Sequence, residues 1–336
     1  MSSLWLITTF FNPLNWSSRR RNYDTFRRHL KANLLTVEWS PNGDFSLRED
    51  DADRLVRVSG GELMWQKERL INIGLEHLPD DCDLVGWVDC DILFRDPLWS
   101  HRAAELLGDH DVMQLYGTVA YLDREHSLKA DPCQACLESA LHRPSLIQSW
   151  RRAVDPDCFL EQELERRRRQ CTGELVAHAL KEDCGIAPGL AWAARRAWLE
   201  QIGGLPDRAV IGGGDLHAAY GLFNRLGDFD ETLQRHGPGA YVSRESLRWV
   251  EGVQRTAPRI GHLSGTLLHL HHGDLTRRHY MRRQYDLMGT GFLPDEHLDL
   301  DSGGAWRFSD SAPKTVRAVM ARYFTSREED GAAAQS

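Results

Sequence analysis

Apolar and polar positions along this chain follow two periods. Residues 4–11, LWLITTFF, form an unbroken apolar, β-branched and aromatic run that stops at Asn12-Pro13, a turn signal. A first strand is predicted there. In RRNYDTFRRHLKANL, Tyr23, Phe26, Leu30 and Leu34 recur at helical spacing. LLTVEWS (34–40) reads as a second strand. GELMWQKERLINIGLEHLP (61–79) carries apolar residues at 63, 64, 70, 71, 75 and 78, which predicts an amphipathic helix. DLVGWVDCDILF (83–94) is apolar on both faces, as a strand inside a parallel sheet is. Strand, helix, strand, helix, strand is the order of a doubly wound α/β fold. Ligands of such sheets bind outside the carboxyl ends of the strands.

Asp89 and Asp91 stand at such an end, and Pro97 follows soon after. Strand alternation puts both carboxylates on one side. Two close carboxylates repel unless a cation joins them, and a hard divalent ion, Mg²⁺ or Mn²⁺, completes its shell with substrate phosphates. The plainer alternative is a pair of caps at a strand–loop junction. Three later segments bear on the choice. APGLAWAARRAWLEQIGGLPD (187–207) reads as a turn, a strand and a helix, with Gly203-Gly204 as its C-cap. VIGGGDLHAAYGLF (210–223) uses three glycines to bring backbone close to a ligand and sets Asp215 at the mouth of a helix. In TLLHLHHGDLTRRHYMRRQYDLM (266–288), leucines interleave with His269, His271 and His272, and at least one of these imidazoles is expected to be a neutral metal ligand. Arg277, Arg278, Arg282 and Arg283 follow on a predicted helix, where Arg278 and Arg282 share a face that suits a diphosphate.

Composition narrows the partners. The chain has 336 residues, 41% of them hydrophobic, enough for a sizeable core. Its net charge of −8 argues against general nucleic-acid affinity and leaves a modified base open only as an acceptor. The clusters Arg19–Arg21 and Arg166–Arg169 stand out, the second as a solvated face. No apolar run reaches transmembrane length, and MSSLWLITTFFNP lacks the features of a signal peptide. Seven scattered cysteines fit reduced thiols and a cytoplasmic location; Cys133 and Cys136 in CQAC have metal-knuckle spacing without a second pair and read as surface thiols.

The segments TTFFNP, WQKERLINIGLEHLP, WVDCDILF, APGLAWAARRAWLEQIGGLPD, GGGD and LHLHHGDLTRRHYMRR, in this order over residues 4–290, resemble a GT-A-type glycosyltransferase of the family-2-like group, often a short bacterial or phage-associated enzyme. The stretch from about 115 to 180 matches less well. The resemblance implies a Rossmann-like, mostly parallel central sheet flanked by helices, in one catalytic domain over 1–290. Residues 121–183 would be a helical insertion forming an acceptor lid, 291–330 an extension packed on the same domain, and 331–336 a disordered tail. It also implies hexosyl transfer from a nucleoside-diphosphate sugar, UDP being the commonest, to an acceptor hydroxyl that is glycan, lipid-linked, protein or small molecule.

By that resemblance Asp91 is the main metal-ligating aspartate, and Asp89 is its partner on the ribose or, through water, on the metal. His272 or His269 is the metal histidine; His271 occupies the place of the family's usual aromatic. Thr8, Thr9, Asn12 and Arg21 hold the nucleoside, with Gln66 and Lys67 closing over it. Arg278 and Arg282 face the diphosphate. Asp215 takes the base position, where many relatives carry Glu-Asp and this chain carries Gly-Asp. A base there favours inversion. Two other classes use similar parts. A non-catalytic nucleotide-sugar or carbohydrate-binding protein would not need Asp215. A metal-dependent phosphohydrolase or nucleotidyltransferase would want more acids and histidines near Asp89 and Asp91, or a glycine-rich phosphate loop, which TTFFNP is not.

Overall fold

The computed structural model describes residues 3–331 except 130, 135, 136, 139, 172–184, 235, 236 and 281. Its centre is a seven-stranded sheet, from β1 (Ser3–Phe11), β2 (Asn33–Ser40), β3 (Arg54–Ser59) and β4 (Cys82–Val88) to the later strands β6 (Val112–Gln114), β9 (Ala191–Arg195) and β10 (Ile260–His262). The order is β10-β6-β9-β4-β1-β2-β3, parallel throughout except for β9, which runs antiparallel to β4 and β6. A second sheet, in order β5-β11-β7-β8, is built from β5 (Ile92–Phe94), β7 (Thr118–Tyr121), β8 (Leu141–Pro144) and β11 (Thr266–His269). A hairpin of β12 (Leu298–Leu300) and β13 (Trp306–Phe308) stands apart. This is a mixed α/β fold with a mostly parallel central sheet flanked by helices, as the alternating pattern predicts.

Burial explains the central strands. Leu6, Ile7, Phe10 and Phe11 of β1 are all buried, so both faces of that strand are covered. The helix Lys67–Glu76 packs on β1 and β2. At Gly86 of β4 a Cβ would run into Leu6 and the Trp192 carbonyl, so only glycine lets β1, β4 and β9 lie this close. The helix Ser17–His29 buries Tyr23 and Phe26, and its first amides, Ser17 and Ser18, each donate to the Asp330 carboxylate at 2.7 Å.

Several expectations need correction. β3 lies between the second predicted strand and the predicted helix, and its short, half-buried run RLVRVS gave little periodic signal. The helix predicted over 61–79 begins only at Lys67. Gly60 and Gly61 have positive φ, and the amides of Glu62 and Trp65 donate to the distant Trp306 and Val210 carbonyls. β4 stops at Val88, so Asp89, Cys90 and Asp91 form a turn and strand alternation does not align the two acids. Residues 277–288 are not one helix. Arg277 and Arg278 end the 3-10 turn Leu275–Arg278, His279 has φ 46°, and a new helix runs Arg282–Met288. The 121–183 stretch includes β8 besides the helices Leu146–Arg152 and Pro156–Cys171; its residues 172–183 lie outside those described. Residues 332–336 of the expected tail also lie outside them, and Gly331 is described. Within 291–330 the helix Thr315–Ser326 packs against Arg282–Met288. Among the described residues no helix is long and apolar enough to cross a membrane. Cys82, Cys90, Cys133 and Cys158 are free thiols.

Candidate active site

The turn Asp89–Asp91 joins the two sheets, because β4 belongs to the first and β5 to the second. β5 pairs antiparallel with β11, setting Ile92 opposite His269, and the Leu270 amide donates to the Asp91 carbonyl at 2.8 Å. This pairing carries His269 and His272 to Asp91. His272 Nε2 lies 3.0 Å from Asp91 Oδ2, and His269 Nε2 lies 3.8 Å from Asp91 Oδ1. One ligand atom from each of the three falls within 4.8 Å of the others. Burial drives the His269 ring down to about 3 against the pull of Asp91, so its imidazole is neutral. Burial also opposes ionisation of Asp91, yet His272 and Arg278 hold its carboxyl well below the usual carboxylate range. Asp91 Oδ1 is buried without a hydrogen-bond partner. An ionised, half-orphaned carboxylate facing imidazole nitrogens is a donor set that suits a divalent cation. Asp89 stays outside this group, its Oδ1 accepting from Lys67 Nζ at 2.7 Å. His271 also stays outside; its amide donates to Ser127 Oγ.

The cavity that Asp91, His269 and His272 line is lined by two more acids. Gly213, with φ 94°, caps the helix Gly214–Leu222, and Asp215 lies in its first turn. A Cβ on Gly189 would collide with the Asp215 carboxyl, and a Cβ on Gly214 would collide with that of Glu68. The Pro188-Gly189 turn and the glycine-rich turn thus leave the room these carboxyls occupy. Burial raises Glu68 to about 7; Asp215 adds to the shift and Lys67 opposes it. The cavity measures about 720 Å³ and is reached by Asp91, His272, Arg278, Lys67, Glu68 and Asp215.

Other predicted residues are placed as follows. Thr9 lines the cavity, whereas Thr8 is buried and donates to the Val88 carbonyl at 2.7 Å. Asn12 braces the following turn through the Trp16 amide and carbonyl. Arg21 is exposed; Arg19, two positions earlier and so on the other face of the helix, reaches the cavity. Gln66 is buried against Trp306, its Oε1 accepting from that amide at 2.6 Å, while its neighbour Lys67 enters the cavity. Arg278 and Arg282 both line it, but from separate elements, and Arg282 is largely exposed and paired with Asp286 at 2.9 Å. Glu68, Arg143, Tyr121 and Arg327 line it unforeseen. Glu68 sits in the first turn of its helix, where an acid reads as a dipole partner. Arg327 belongs to the charged run REED-side of the last helix, which reads as solvated surface. Elsewhere, His29, Asp131 and Cys133 also gather three ligand atoms, at a partly exposed surface; the Cys136 of the CQAC segment lies outside the described residues.

Glu68 gives the protein a pH signature. A glutamate in the unfolded chain titrates near 4.5 and the folded one near 7, so the fold keeps a proton that the unfolded chain releases. The contribution of Glu68 to stability therefore falls as pH rises from 4.5 to 7 and stays lower above that window. Glu68→Gln keeps the shape without the charge. It should match the wild type near the bottom of that window and exceed it by up to about 3 kcal/mol at the top, in urea denaturation. A wild type more stable than the variant in mildly alkaline buffer would contradict the assignment.

No family model matches the chain, and no curated protein does. Solved structures that resemble it include glucosyl-3-phosphoglycerate synthase from Mycobacterium tuberculosis, in a complex with Mn²⁺, UDP and phosphoglyceric acid. It is 14% identical, the match covers 89% of this chain and 82% of that one, and the TM-score is 0.40. A mutant Drosophila β-1,4-galactosyltransferase 7, in complex with manganese, UDP-Gal and xylobiose, is 9% identical over 81% of this chain and 71% of that one, with a TM-score of 0.39.

Proposed function

We propose that this chain is a metal-dependent GT-A-type glycosyltransferase. It moves a hexosyl group from a nucleoside-diphosphate sugar, UDP-linked, to an acceptor hydroxyl with inversion. The observation that carries the reading is one cavity lined by two chemically different groups of side chains. Asp91, His269 and His272 form a cation-binding corner, and Asp215 with Glu68, outside that group, forms an acid pair.

The cation corner would take Mn²⁺ more readily than Mg²⁺, since two of its three ligands are imidazoles. A divalent ion bound there supplies charge stabilisation to a diphosphate leaving group. The chain's own residues do the rest. Arg278, 2.8 Å from His272 Nε2, sets a fixed positive charge beside that corner. Lys67 holds Asp89, the residue assigned to the ribose side, through its 2.7 Å bond. Asp215 accepts the proton of the acceptor hydroxyl as it attacks the anomeric carbon. Arg143 and Arg166, from the insertion between β7 and β9, line the cavity and would form the acceptor side. Residues 1–290 then make the catalytic domain, and 291–330 an extension that also reaches the cavity through Arg327. A two-metal phosphohydrolase is disfavoured, because among the described residues the cavity has only one three-ligand group.

The test is a thermal-shift screen against UDP, GDP, CDP and TDP, each with and without Mn²⁺. A rise of a few degrees with UDP that requires Mn²⁺ is expected. No rise with any nucleotide, or an equal rise without metal, would overturn the reading.

A further inference from the structure

The segment following the helix Thr315–Ser326 returns to the cation corner and is tied there by several contacts. Glu329 is buried between two arginines. Arg19 Nε and Nη2 donate to its two carboxylate oxygens at 2.6 and 2.8 Å, and Arg327 Nε donates to Oε1 at 2.6 Å. Glu328 pairs with Arg277 at 2.9 Å, and Asp330 caps the helix Ser17–His29. Gly273, with φ 87°, lets the segment in: a Cβ there would stand 3.1 Å from Glu329 Cα. The glycine that ends the histidine run therefore has a packing partner far along the sequence.

The consequence falls on His272. An Arg278 N–H stands 2.8 Å from its Nε2 and would need a lone pair on that nitrogen. Asp91 Oδ2 stands 3.0 Å from the same atom. Arg278 thus asks for a lone pair on Nε2 and Asp91 for a proton there, and what faces the other ring nitrogen, Nδ1, decides between them. That atom is buried without a hydrogen-bond partner and faces Glu329 Oε2 at 3.6 Å, a few tenths of an ångström beyond a bond. A carboxylate behind a ligating histidine fixes both tautomer and ring orientation.

We propose that Glu329 is a positioning residue for His272: it keeps the ring proton on Nδ1 and presents Nε2, with Asp91, to a divalent cation. The inference rests on the reading of the Asp91, His269 and His272 corner as a metal centre. Two measurements test it, and one of them needs no metal. In ¹⁵N spectra of the metal-free protein, with the His272 signals assigned by their loss in His272→Gln, the proton should reside on Nδ1. In Glu329→Ala it should redistribute toward Nε2. In Mn²⁺ titrations followed by electron paramagnetic resonance, Glu329→Ala should weaken binding about 10- to 100-fold. Glu329→Gln, which keeps an oxygen acceptor for Nδ1–H, should recover part of that loss and serves alone if the alanine variant does not fold. Unchanged Mn²⁺ affinity in both variants, or a proton on Nε2 in the wild type, overturns the role of Glu329. A wild type that binds no Mn²⁺ overturns the metal centre instead, and the tautomer measurement still decides the positioning role.

Discussion

Asp91→Asn should abolish the Mn²⁺-dependent stabilisation by nucleotide and lower turnover on the order of 10³-fold. The size follows from what the substitution removes. Asparagine keeps the volume of aspartate but neither its charge nor a second oxygen acceptor, and Asp91 is the only carboxylate in the three-ligand group. Two imidazoles without it offer a cation no charge compensation in a buried corner. The metal-free protein should lose some stability, because His272 and Arg278 hold the carboxyl below its usual range and its ionised form therefore favours the fold. Mn²⁺ titration, nucleotide thermal shift and donor hydrolysis read the three effects separately. A variant that still shows the metal-dependent shift would move the cation away from Asp91.

Asp215→Asn should separate binding from chemistry. Asp215 lies at the start of the helix Gly214–Leu222 and is not a member of the cation group. Its amide variant should keep the Mn²⁺-dependent nucleotide shift while turnover falls about 10²- to 10⁴-fold, the usual worth of a general base. The drop should appear in kcat, since the group acts on the proton in flight. Normal turnover would return the base role to another group, with Glu68 next in line because its carboxyl also lines the cavity and feels the charge of Asp215. Lost nucleotide binding would instead place Asp215 on the donor.

Much of this architecture was legible from apolar runs. β1, β2 and β4 announce themselves because both faces are buried, and the glycine-rich turn before Asp215 needs residues that few other structures need. The order of segments then carried Asp91, His269, His272, Lys67 and Asp215 into one cavity. What stayed hidden depends on tertiary placement. Asp89 and Asp91 looked aligned by strand alternation, but the chain turns at Asp89 and gives them different partners, Lys67 and His272. Arg19 and Arg21 are equivalent in composition, and only helix phase sends one inward. Glu68 has no periodic mark; its carboxyl reaches the cavity because Gly214, far away in sequence, lacks a side chain. Glu329 lies in a charged run that any local reading assigns to solvent.

The turn between β4 and β5 has a consequence for how the molecule is assembled. Asp91 is delivered by the strand that leaves the large sheet, while His269 and His272 arrive with β11 of the small one. Neither sheet contains the corner by itself, so a partly folded chain with only the large sheet in place has nothing to chelate an ion. Ion capture is then a late event that rewards completed docking of the two sheets. Bound ion and nucleotide would slow amide exchange most in β5 and β11, at the seam, and least in β2 and β3, which close without them.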